Sequence, residues 1–158
     1  VFQKGNNTFL ISNFKETNKY HYDDNFIVDY DFEIKNYAKN LGDEIYINLN
    51  LNKDISSYKT DKNRKNAIEY DYKKFFSYAT TLEIPKGYVV DYVPENVTVS
   101  NDFLTCKISY KTIGKEVVYK QEIELNFLVL TLEEQKEVNA TIKKIERNYK
   151  EIVVLKKQ

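Results

Sequence analysis

The 158-residue chain has no tryptophan and no methionine, a single cysteine (Cys106) and a single histidine (His21). One cysteine excludes a disulfide framework and any multi-cysteine metal site. No charge of one sign prevails: 24 lysines and arginines stand against 24 acidic residues, which argues against a general polyanion binder. Apolar runs are no longer than 127–130, far short of the roughly 20 residues that a membrane span needs. What is present points to a folded core. Hydrophobic residues make up 42% and aromatics 15%, too apolar for a disordered chain. At about 150 residues per domain the length suits one domain, burying about 70% of the unfolded surface without staples. The chain begins at Val1 rather than Met, and is expected to be a piece of something longer or a mature form.

Period-two alternation dominates, the mark of strands with one buried face. Phe26, Val28, Tyr30, Phe32 and Ile34 share one face, with Asp29, Asp31, Glu33 and Lys35 opposite. After a turn at Leu41-Gly42-Asp43 the pattern returns at Ile45, Ile47, Leu49 and Leu51, so the two runs read as an antiparallel hairpin. A polar stretch, 52–69, has no period and is expected to be a functional loop or a crossover between sheets. Strands resume over 76–84, stop at the Pro85-Lys86-Gly87 turn, and continue over 88–93 with a short edge piece at Val97 and Val99.

Leu104, Cys106, Ile108 and Tyr110 then face inward. A turn at Gly114 leads to a long partner strand carrying Val117, Tyr119, Ile123, Leu125, Phe127 and Val129. Thr131 and Glu134 fit a capping box, and Val138, Ile142, Ile145 and Tyr149 sit at helical spacing. The expected fold is mainly β: an antiparallel β-sandwich (immunoglobulin/fibronectin-like) with one amphipathic C-terminal helix at about 132–149, then a last strand. Residues 26–158 are assigned to the sandwich. Residues 1–25 are read as an N-terminal extension, either the end of a preceding domain or a first strand.

No catalytic residue is assigned. A cysteine hydrolase needs a base within reach of its thiol, yet Cys106 faces inward, where a free cysteine acts as a small hydrophobe. His21 lies in a separate polar segment. Asp23 and Asp24, with Asp29, Asp31 and Glu33, offer oxygen ligands, but the last three read as a solvated strand face. The glycine turn and bidentate Glu of a calcium loop are missing, so no metal and no cofactor are expected. Lys59, Lys62, Arg64 and Lys65, beside Tyr58, form a small basic patch diluted by Asp61 and Glu69. Without a nucleic-acid motif it reads as a solvated loop, and no nucleic-acid partner is expected. Tyr20, Tyr22, Tyr46 and Tyr58 read as outward and could stack on sugars or on a partner. The ligand-binding candidates are Tyr46, Tyr58 and Arg64.

The stretch from Arg64 to the end resembles a known family. The marks are Asn63-Arg64, the series Ile84-Pro85-Lys86-Gly87-Tyr88-Val89-Val90, Val93-Pro94, the capped helix, and the closing Ile152-Val153-Val154-Leu155-Lys156-Lys157. Together they resemble the C-terminal β-domain, of unknown function, of bacterial transglutaminase-like, cysteine-protease-like proteins common in Bacteroidetes. That family keeps its Cys, His and Asp machinery in a preceding core, and no residue here matches those motifs. The resemblance therefore implies a non-catalytic accessory domain whose partner is the catalytic core of the same polypeptide. It also implies export, to the periplasm or cell surface. The alternative expectation is an independent module of the cell envelope that binds a glycan or a protein.

Overall fold

The computed structural model describes residues 9–158. The chain divides into two compact units, one ending at Lys39 and the other running Asn40–Gln158. In the first, β1 (Phe9–Thr17) and β2 (Ile27–Ile34) form an antiparallel hairpin. The rings of Phe9 and Phe32 stack across it at 5.1 Å. Its register shifts between Ser12 and Lys15, where Asn13 adopts φ 51°, a left-handed setting that asparagine tolerates.

That pairing corrects one expectation. The run 26–34 pairs with β1, not with the run 45–51. Alternation fixes which face of a strand is apolar, but it does not choose the neighbour.

In the second unit β3 (Lys39–Leu41), begun at the boundary, turns at Gly42 into β4 (Glu44–Ile47). A 3-10 turn, Asp54–Tyr58, and β5 (Ile68–Glu69) follow. Next come β6 (Lys74–Glu83), β7 (Tyr88–Tyr92), β8 (Val97–Ser100), β9 (Leu104–Ile113) and β10 (Glu116–Leu125). The chain closes with β11 (Val129–Leu130), helix α1 (Leu132–Asn148) and β12 (Val153–Lys157). One four-stranded sheet has the order β6-β10-β9-β8, the other β3-β4-β12-β7, and β11 pairs with β5. The architecture is thus mainly β, built of antiparallel sheets, with one helix followed by a last strand.

Local chemistry explains these elements. Gly114, at φ 58°, opens the two-residue connection that sets Ile113 opposite Glu116 and so fixes the β9–β10 register. The Thr131 hydroxyl accepts from the Glu134 amide, and the Glu134 carboxylate accepts from the Thr131 amide at 2.7 Å. The helix stripe Val138, Ile142, Ile145 and Tyr149 is buried in one core with Leu104, Cys106, Val117, Tyr119 and Ile123 of the first sheet and Val153 and Leu155 of the second. Each such apolar side chain contributes about 1.5–3 kcal/mol relative to exposure. Among the described residues no helix is long and apolar enough to cross a membrane.

Two inward positions change places. Val129 is exposed and Leu130 buried, because the β10 ladder ends at Leu125 and the chain pairs anew with β5. Leu51 is likewise exposed, because β4 stops at Ile47.

Candidate functional site

The stretch from Asn48 to Ala67 is a strap, and its course is set by its own side chains. The Asn48 amide oxygen accepts from the Asn50 backbone at 2.8 Å. Asn50 accepts from Asn52 at 3.2 Å, and Asn52 from Asp54 at 2.8 Å. Three Asx turns in succession satisfy amides that a strand ladder would have used, so the strand ends and the chain winds into the 3-10 turn. Ile55, buried to 2% exposure, pins that turn to the core.

Helix α1 then fastens the strap through one edge of its surface. Asn139 accepts from the Thr60 amide at 2.9 Å and donates to the Thr60 carbonyl and hydroxyl at 3.0 Å. Glu146 accepts from the Ser56 hydroxyl and pairs with the Lys59 ammonium, both at 2.7 Å. The Lys59 hydrogen bond holds the Glu146 carboxyl below the usual carboxylate range, against partial burial. Gln135 donates to the Asn66 carbonyl at 3.1 Å and to the Leu130 carbonyl at 3.0 Å. The polar stretch 52–69 is therefore a fixed structure.

Between strap and helix lies an open groove of about 960 Å³. Lys59, Asp61, Lys62 and Arg64 line the strap side. The helix side presents Leu132, Lys136, Ala140, Lys143 and Arg147, spaced so that one stripe faces the groove, with Lys144 at its margin. Seven cations line the groove against two carboxylates, Asp61 and Glu133, in a chain of zero net charge. Such a channel concentrates positive potential and can hold an anionic ligand.

The sequence candidates fall in different places. Arg64 lines this groove, its Nε donating to the Asn66 carbonyl at 3.2 Å. Tyr58, in the middle of the strap and next to the groove-lining Lys59, is partly buried. Its hydroxyl accepts from Lys74 Nζ at 3.0 Å, and its ring meets Tyr70 and Phe76 at centroid distances of 6.2 and 6.1 Å. The Lys74 ammonium lies 5.1 Å from the Tyr58 ring, 5.8 Å from Tyr70 and 5.2 Å from Tyr72. Tyr58 is thus enclosed by its own neighbours rather than facing outward. Tyr46 lies on β4, its hydroxyl donating to the Glu44 carboxylate, which raises the phenol pKa. Tyr20 and Tyr22 are exposed on the first unit, where His21 is also exposed.

Cys106 is 1% exposed, and burial pushes its thiol up to about 11. Gln121, fully buried beside it, donates to the Tyr149 hydroxyl and lies 3.9 Å from the Cys106 sulfur. Its oxygen accepts from Tyr119 at 3.2 Å. Among the described residues no three His, Cys, Asp or Glu side chains gather as metal ligands.

Sequence reasoning found the strap cations but not the helix ones, since more than 70 residues separate Arg64 from Lys136 and beyond. The available signal was the spacing of Lys136, Ala140, Lys143 and Arg147 beside the apolar stripe.

Comparison with known proteins adds two findings. The family described as "Domain of Unknown Function with solved-structure structure (DUF3858)" matches residues 43–155. The crystal structure of a "putative protease" from Parabacteroides distasonis ATCC 8503 shares the fold, with a TM-score of 0.56 at 15% identity. The similarity covers 72% of this chain and 23% of that one, so this chain corresponds to less than a quarter of that protein's length. No curated protein matches.

Proposed function

The chain belongs to the DUF3858 family of domains of unknown function, and from that premise we propose that it is a non-catalytic accessory domain of a larger transglutaminase-like protein. It docks on, orients or shields that protein's catalytic core. The observation that carries this reading is the share of length in the structural comparison: the same fold occupies 23% of a much longer chain. The chemistry of the chain agrees. A nucleophilic cysteine needs a lowered pKa and access, and Cys106 has a raised pKa and is sealed in the core. The role therefore falls to the surface, by contact rather than turnover, and an exported location suits it.

The test is to mix the 158-residue chain with the catalytic core encoded in the same polypeptide and measure association by sedimentation and by the melting temperature of the core. Association with a shifted core transition is the expected result. No association at high micromolar concentration, or turnover by the chain alone across a hydrolase panel, would overturn the reading.

A further inference from the structure

We propose that the groove between the strap and α1 is a docking channel for an extended peptide segment rich in carboxylates. This deepens the docking reading and rests on it for the source of the peptide. Three features of the groove specify the ligand. The first is length. From Leu132 to Arg147 the helix runs about 22 Å at 1.5 Å per residue. An extended peptide of about six or seven residues has the same reach at 3.3 Å each.

The second is charge not tied up in ion pairs, Lys143 acting on the Glu146 carboxylate only from a distance. Lys59 is paired with Glu146 and Lys136 with Glu133, whereas Lys62, Arg64, Lys143, Lys144 and Arg147 have no ion pair among the described residues. These five are exposed and lie on both walls, so an anionic strand between them gains from each side at once. The third is the mixed floor. Leu132, exposed at 41%, and Ala140 give apolar patches between the cations. A strand that alternates carboxylate and apolar side chains places one set toward the lysines and the other toward this floor.

The same features disfavour a phosphate-based ligand. A phosphate site commonly draws on free backbone amides at a helix start. The first turn of α1 is closed by the Thr131–Glu134 capping box, and Asp61 and Glu133 would repel a continuous polyphosphate backbone. Nucleic-acid modules, moreover, are basic as whole domains, and this chain is neutral.

The experiment titrates the 158-residue chain with a dye-labelled peptide of about seven residues that alternates glutamate and valine, read by fluorescence anisotropy. Binding is expected at micromolar to sub-millimolar concentration, weakening about tenfold as salt rises toward 0.5 M. The double variant Lys143→Glu/Arg147→Glu, at exposed positions, is expected to bind about tenfold more weakly with an unchanged melting transition. A glutamine–valine analogue should not bind. Equal binding of that analogue, displacement of the peptide by a lower concentration of tripolyphosphate, or full peptide affinity in the double variant would each overturn the channel. The catalytic core separates the two readings. If the core binds the double variant as tightly as the native chain, docking stands and the groove is not its site. If the core binds neither, the docking reading falls while the peptide titration still judges the groove.

Discussion

Strand β10 and the strap satisfy their backbone amides by opposite means. All ten residues of β10 stand in register with β6 on one side and β9 on the other, and alternate side chains disappear into the core. In the strap, the amides of Asn50, Asn52, Asp54 and Asn63 are each taken by a side-chain oxygen two residues earlier. The ladder's bonds are repeated and any neighbour of the right shape extends them, so single polar changes cost it little. Each strap bond depends on one named side chain. The strap can therefore be released piece by piece while the sheet opens only as a whole.

The largest effect expected from breaking this contrast is in the core that the sheet shares with α1. Ile142→Ala removes a fully buried side chain of α1, and about 2–5 kcal/mol should be lost, read as a lower urea midpoint with a single transition. A variant that loosened only the strap amides would contradict the contrast. Next comes Tyr149→Phe, which leaves the buried Gln121 amide without its hydroxyl acceptor. About 1–3 kcal/mol is expected, again global, by the same unfolding curve.

On the strap side, Asn139→Ala cuts all three bonds to Thr60, and faster amide hydrogen exchange is expected over 59–66. An opening free energy lower by about 1–3 kcal/mol is expected there, with β9 and β10 unchanged. Equal acceleration in β10 would erase the distinction. The smallest effect is acidic. Glu146 has a folded pKa below its unfolded value of about 4.3, so its contribution is complete above that pH and fades as pH falls through the folded pKa. Protection of the strap amides, taken relative to the intrinsic exchange rate at each pH, should fall before that of the core as acid protonates Glu146, and Glu146→Gln should abolish the pH step.

The sheet side was legible in the sequence because its information is local. Alternation at Leu104, Cys106, Ile108 and Tyr110 names a buried face, Gly114 names the turn, and Thr131 with Glu134 names the helix start. Gln121 escaped notice because a polar side chain in an apolar row reads as an interruption, although its amide serves both Tyr149 and Cys106. The strap was legible only as a lack of period. Asn48, Asn50 and Asn52 keep a strand's two-residue spacing, yet in the structure their oxygens end the strand. The groove was half legible. Arg64 and its neighbours are visible as a cluster, but the opposite wall comes from a helix whose position relative to the strap depends on Asn139 and Glu146.

The lone thiol has a practical consequence. Cys106 sits where β9, Gln121 and Tyr149 meet, so a bulky alkylating reagent reaches it only when that junction parts. With no second cysteine to compete, each labelled molecule records one such excursion. The native sequence is in this sense its own stopwatch, and timed labelling would report how often the core of this domain breathes when a partner is bound and when it is not.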